Sequence, residues 1–147
     1  MINKILVPVD GSENSLKALK MGLEMAAKFA AKLEVLCVAL KNPINDVVFV
    51  GLKEEREFVR EEIDAAIVAT DGVIKAAKAM VDEAKLDAEY EVRVGEPAEI
   101  ILDEAIVKEA DCIVMGCRGL SGLQQFLLGS VSDKVVNGAK IPVFVVK

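Results

Sequence analysis

A chain of 147 residues with a net charge of −6, a pI near 4.8 and no histidine closes off several functions at once. An acidic surface repels phosphate backbones, and no basic run or basic–aromatic interleaving offers a nucleic-acid face. Without histidine there is no Ser-His-Asp or Cys-His catalysis, no His general base and no His-ligated metal site.

The three cysteines, Cys37, Cys112 and Cys117, lack CxxC spacing and imply neither a disulfide framework nor a zinc knuckle. No apolar run approaches the ~20 residues that span a bilayer, and the apolar part of MINKILVPVD is too short for a signal peptide. A cytoplasmic location, with no membrane partner, is the expectation. The length and the hydrophobic fraction of 53% suit one domain over 1–147, burying about two-thirds of its unfolded surface.

Ile2 to Val9 is an almost unbroken apolar run, which suits a strand buried on both faces of a parallel sheet. Pro8 stands at its C-terminal end, where a missing ladder donor is tolerated. Asp10-Gly11-Ser12 is turn chemistry, with Ser12 as an N-cap. Leu16, Leu19, Leu23, Ala26 and Ala30 form one stripe on a helix over Glu13 to Ala31. Leu33 to Leu40 reads as a second buried strand, and Asn42 to Asp46 breaks regular structure. Val47 to Leu52 is either a surface loop or part of a partner contact.

Lys53 to Lys85 is helical in composition, but Thr70-Asp71-Gly72 interrupts it, because Gly costs about 1 kcal/mol in a helix interior. Two helices, or one kinked helix, are expected. Its charged start, KEEREFVREEID, reads as a solvated face. Ala88 to Val94 alternates strictly, which predicts burial on one side and a sheet edge. Gly95-Glu96-Pro97 starts a helix with Pro97 in its first turn; it runs to about Glu109 and buries Ile100, Ile101, Ala105 and Val107. Cys112 to Met115 is a short strand, Ser130 to Gly138 a helix, and Pro142 to Lys147 a last strand.

Strands and helices thus alternate, without repeat or linker. This order predicts an α/β fold, a doubly wound, Rossmann-like parallel sheet with helices on both faces. Ligands of such sheets lie past the carboxyl ends of the strands, where strand order reverses. The loops Pro8 to Ser12 and Gly116 to Ser130 leave such ends, and they share one crevice if strands one and four are neighbours.

The second of these loops carries the densest signal. Met115 to Val131 reads MGCRGLSGLQQFLLGSV, with Gly116, Gly119 and the pair Gly129-Ser130 between a strand and a helix. Glycines there let backbone N–H groups crowd an anion, which makes this a phosphate-binding loop. Ser130-Val131-Ser132-Asp133 is equally a capping-box pattern, and Asp133 is a like charge that a phosphate must tolerate. Asp10 either holds a ribose hydroxyl or a phosphate-bound metal, or only shapes its turn. Arg118 and Ser121 are candidate phosphate contacts, whereas Lys134 reads as a surface charge. Cys37 and Cys112 read as core. Cys117 lies in the loop, where N–H groups would lower its pKa. The last strand's FVV run would be an unpaired edge in a monomer, a hazard that dimerisation removes.

Four segments, KILVPVDGSENS, GEPAEIILDEA with DCIVMGCRG, the glycine loop, and IPVFVVK, resemble the universal stress protein family, specifically its ATP-binding branch. The resemblance covers nearly the whole chain and is weak only over Lys41 to Asp87. It implies a five-stranded sheet in order 3-2-1-4-5 and a homodimer formed through the last strands, Pro142 to Lys147. It places Pro8, Val9 and Asp10 near adenine and ribose, and Val38 against adenine. Met115, Gly116 and Gly119 match ribose and phosphate contacts, and Gly129, Ser130 and Val131 the phosphate cradle. Cys117-Arg118 stand where many relatives have Thr or Ser followed by His, Lys or Arg, and Cys37 where many have His. Neither change removes a backbone donor.

The chain has no GxxxxGKS/T lysine loop and no GxSxG elbow. HxGH adenylyl transfer is impossible without histidine. VDGSENS is a poor match to the SGGxDS of ATP pyrophosphatases, and Asp10 alone does not make the acidic pair of a phospho-receiver. The expected function is therefore a dimeric nucleotide-dependent regulator, with ATP, AMP or ADP as ligand and Mg²⁺ or Mn²⁺ on the phosphates. Hydrolysis would be slow, or dependent on an unknown protein partner. The alternative is a dimeric interaction module of the same fold that binds no nucleotide.

Overall fold

The computed structural model describes residues 1–40, 53–117 and 128–147. Strand β1 (Lys4–Pro8) is the middle of a five-stranded sheet. Around it, in chain order, come α1 (Glu13–Phe29), β2 (Lys32–Leu40), α2 (Lys53–Glu83), β3 (Ala88–Gly95), α3 (Pro97–Val107), β4 (Cys112–Gly116), α4 (Ser130–Gly138) and β5 (Val143–Val146). All neighbouring strands pair in parallel, in the order β3-β2-β1-β4-β5. The order reverses at β1 and β4, as the crevice argument required.

Each strand shows one side chain in two to each face, and this sorts the core into two layers. Ile5, Val7, Val9, Leu33, Val35, Cys37, Cys112 and Val114 meet α1 and α2. Leu6, Leu36, Ile113 and Met115 meet α3 and α4. Helix α1 presses closely on β1: a Cβ on Gly22 would lie 2.7 Å from Val7 Cγ2. Its buried stripe is Ser15, Ala18, Leu19, Gly22, Leu23 and Ala26. Ala30, expected on that stripe, is instead the exposed left-handed residue (φ 54°) that ends the helix.

Helix α2 runs as one element through Gly72, not as two helices. Gly72 has nothing within 4 Å of its would-be Cβ, while Ala77 and Val81 are fully buried beyond it. Packing of that anchored stretch outweighs the helix penalty of a single glycine. In α3, Ile101 and Ala105 are buried, but Val107 is 63% exposed because it lies in the last turn, beyond the sheet contact. β3 is an edge, as expected, but its burial does not alternate: Val92 is 36% exposed, while Glu91 and Arg93 are half-buried. Its Glu89, Glu91 and Arg93 do not simply face water, however. They meet charges of α3, together with Glu34 of β2, which is 3% exposed inside a strand that reads as apolar.

Candidate functional site

The crevice is built from the carboxyl ends of β1 and β4. Beyond Pro8, Val9 is buried and its N–H donates to Leu36 O (2.8 Å), so β1 holds its course by one residue past the strand. The chain then turns at Gly11 (φ +82°), a left-handed conformation in which a Cβ would also lie 3.1 Å from Val73 Cγ2 of α2. Asp10 is exposed. Its Oδ1 accepts the Ser12 N–H (2.9 Å), and its own N–H donates to Ser15 Oγ (3.3 Å). The carboxylate therefore does shape its turn. Ser12 Oγ accepts the Ser15 N–H (3.3 Å) and caps α1.

Across the crevice, Met115 is buried and pairs with Val145, and Gly116 pairs with Val146. The Cys117 N–H extends that ladder to Val146 O (2.9 Å). Asn14 Nδ2, in the first turn of α1, donates to Cys117 O and ties the two loops together. Gly116 owes its identity to the same approach. A Cβ there would fall 2.6 Å from Asn14 C, 2.7 Å from Asn14 O and 2.8 Å from Ser15 N. Its absence makes room for α1, which is a packing reason that glycine spacing alone does not suggest. Cys117 is 4% exposed, so the access that a redox thiol needs is missing. Burial pushes the Cys37 thiol up to about 11, and the nearby Asp10 charge adds to this. Burial, and then Asp111, do the same for Cys112.

The connection that leaves β4 ends at the start of α4. Gly129 is its N-cap (φ −61°, ψ 161°), and Ser130 and Val131 are its first residues. Gly129 brings no side chain to this cap. The Ser132 hydroxyl turns back to Gly129 O (3.0 Å), and that carbonyl also accepts the Asp133 N–H (2.8 Å). The capping-box reading is thereby corrected: Ser130 is inside the helix, not at its cap. The contrast with its neighbours is informative. Ser12 caps α1, and Glu96 caps α3 by accepting the Glu99 N–H (2.8 Å). That bond holds the Glu96 carboxyl below its usual range, with help from Lys134. The N–H groups at the start of a helix have no intrahelical acceptor and carry the positive end of its dipole. Of these three helices, α4 is the one whose N-cap residue supplies no side chain among the described residues.

Val38 lies two residues beyond Leu36, which is level with Pro8. It is partly buried on the face it shares with Met115, whereas Val9 lies on the opposite face with Cys37. Pro8, Val9, Asp10, Met115, Gly116, Gly129, Ser130 and Val131 thus belong to the two connections that flank the reversal of strand order. Arg118, Gly119 and Ser121 lie outside the described residues, as does Val47 to Leu52. Sequence reasoning missed Asn14, which has no signal beyond being polar in a turn. It also left Lys134 as a plain surface charge, although its Nζ sits 3.3 Å from Glu96 Oε1 and joins α4 to α3. Among the described residues no group of three or more acidic or cysteine side chains could hold a metal ion by itself, and no helix is long and apolar enough to cross a membrane.

A doubly wound parallel sheet whose strand order reverses between β1 and β4 belongs to the general class of α/β proteins whose ligands bind at a strand-order switch. Within that class the assignment is specific. The family model described as the universal stress protein family matches residues 1–147, and the chain belongs to that family. It is 36% identical over 149 residues to the universal stress protein YxiE of Bacillus subtilis, with all of both chains covered. Among solved structures, it superposes on a universal stress protein of Methanocaldococcus jannaschii with a TM-score of 0.83, at 29% identity, covering 100% of this chain and 96% of that one. A universal stress protein solved in complex with cAMP matches at TM-score 0.71 and 25% identity, over 99% and 97% of the two chains.

Proposed function

We propose that this chain is an adenine-nucleotide-binding regulator in which ATP is held between the β1 and β4 connections, with at most slow hydrolysis. The observation that supports the reading is the start of α4, where the N-cap Gly129 brings no side chain, at the end of the connection that leaves β4 at the reversal of strand order. An anionic phosphate satisfies those N–H groups and the helix dipole together. Pro8, Val9 and Val38 would border the adenine. Asp10, Met115 and Gly116 would border the ribose and first phosphate, and Gly129, Ser130, Val131, Arg118 and Gly119 the remaining phosphates. The cAMP complex of a relative with the same fold supports an adenine ligand.

Asp10 suits Mg²⁺ or Mn²⁺ only as a partner to phosphate oxygens, because it supplies one exposed carboxylate already engaged by Ser12. Such an ion keeps waters and takes one or two carboxylates alongside phosphates. Bound there, it would neutralise phosphate charge; the chain's own contribution is to orient the nucleotide through backbone N–H groups. No described side chain stands as an evident general base for water, apart from Asp10. We take the assembly to be a cytoplasmic homodimer through Pro142 to Lys147, because β5 is a sheet edge whose Phe144 is 42% exposed. Nucleotide occupancy would then change a surface read by a protein partner.

Equilibrium binding of ATP with Mg²⁺, to the wild type and to Gly129→Val, tests this. Micromolar to sub-millimolar affinity, lost in the variant, is expected. Affinity weaker than millimolar, unchanged by the substitution, refutes it. Mass spectrometry of whatever small molecule leaves the denatured protein distinguishes ATP from AMP or ADP.

A further inference from the structure

On the α3 side of the sheet, away from the glycine loop, lies a cluster of charges that the nucleotide reading does not use. The Lys108 ammonium, at the end of α3, stands 3.7 Å from Glu34, 3.7 Å from Glu89, 3.9 Å from Glu91 and 4.0 Å from Glu104. Glu34 is 3% exposed and Glu104 2%. Glu34 and Glu89 are directly opposite in the β2–β3 register, so their carboxyls face each other across neighbouring strands.

The other groups around Glu34 do not relieve this crowding. From β3, Arg93 is committed to Glu104 (2.6 Å) and Asp103 (3.3 Å) of α3. From β1, the Lys4 ammonium donates to Lys108 O (2.7 Å) and attracts Glu34 from further off. From β2 itself, Lys32 shares Glu34's face by strand alternation. From the turn before β4, Asp111 is engaged with the N–H groups of Asn3 and Lys4. With Glu104 taken by Arg93, one ammonium still faces Glu34, Glu89 and Glu91, and two like charges on register-paired residues cannot both stay ionised at little cost.

We infer that Glu34 and Glu89 form a proton-uptake site: as pH falls, one proton from solvent binds Glu34, whose O–H then donates a hydrogen bond to the Glu89 carboxylate, and the repulsion between the two strands' carboxylates is relieved. Glu89, 69% exposed at its side chain, supplies the route to water. Desolvation and the hydrogen bond with Glu89 raise the Glu34 carboxyl above its usual value of 4.5, against the pull of Lys108. A raised carboxyl is a stabilising group when protonated. Its contribution is complete below the unfolded-state pKa and is lost as pH rises through the folded one. The site is independent of the nucleotide, so it stands or falls separately from the proposed function.

The test compares thermal midpoints of the wild type and Glu34→Gln, a permanently neutral isostere, from about pH 8 to about pH 3.5. The variant is expected to melt above the wild type at the alkaline end. The gap should narrow as pH falls through the raised Glu34 pKa and close by about pH 4, in the ordinary glutamate range. Lys108→Met should move this closure to higher pH. Parallel melting profiles overturn the inference. A carboxyl ¹³C titration of Glu34 in the wild type decides the matter if the variant fails to fold: a midpoint above the ordinary carboxylate range supports the site, and one at or below it overturns it.

Discussion

Gly116→Ala separates two reasons for a glycine that sequence alone merges. The added Cβ would fall 2.6–2.8 Å from Asn14 C, Asn14 O and Ser15 N, all of them backbone atoms. Ordinary carbon contacts lie near ~3.5 Å, so α1 must retreat by about 1 Å. No side chain can swing aside to absorb this. The start of α1 is fixed by Ser12, by the Asp10 turn and by the bond from Asn14 to Cys117 O. Overpacking of this kind costs about 1–3 kcal/mol, and a clash with backbone belongs at the upper end. Urea unfolding followed by circular dichroism measures it. Were the glycine present only to admit a phosphate, alanine would leave stability unchanged, or raise it slightly through reduced chain entropy, and would harm binding alone. A variant within about 0.5 kcal/mol of the wild type refutes the packing argument.

Two further outcomes follow from described contacts. Gly72→Ala, in a continuous helix with open space around its Cβ, should stabilise the fold by about 0.5–1 kcal/mol in the same urea assay. Asp111 accepts the N–H groups of Asn3 (2.7 Å) and Lys4 (2.9 Å), which lowers its carboxyl below 3.8. A lowered carboxyl stabilises the fold above its unfolded pKa, and that stability disappears as pH falls through the folded value. Asp111→Asn should therefore be less stable than the wild type at neutral pH, and the difference should fade below about pH 4 in unfolding midpoints measured across pH.

The architecture was legible because the apolar periods were clean. Unbroken runs gave β1, β2 and β4, strict alternation gave the edge strand β3, and the β-α order left few topologies. What failed to show were events that depend on tertiary approach. Glu34 in LEVLCVAL looks like an interruption in a buried strand, and only the arrival of Lys108 from α3 explains how it is held. Gly72 looks like a break, because propensity is local whereas the anchoring of Ala77 and Val81 is not. Gly22 looks like an accident in an apolar stripe until Val7 is placed beneath it. At the site, the turn chemistry of Asp10-Gly11-Ser12 and the α4 start were readable, but the bridge from Asn14 to Cys117 O joins residues more than a hundred positions apart.

The two ends of the glycine loop serve different ends, and the helix starts around the crevice show why. Gly116 lets α1 come close to β4, which brings the beginning of α1 to the mouth of the crevice. That beginning is already satisfied from within: Ser12 accepts from Ser15, and Asp10 accepts from Ser12. An incoming anion finds the Ser12 and Ser15 N–H groups occupied. Gly129, in contrast, brings no side chain to α4, and the hydroxyl of Ser132 turns back to the Gly129 carbonyl. Glycine at an N-cap costs only a few tenths of a kcal/mol relative to serine, so leaving the position open to a ligand is cheap for the fold. The connections from β1 and β4 thus lead to one helix start capped by its own serine and one whose N-cap brings no side chain, and under the proposed function the second is where a phosphate would gain most.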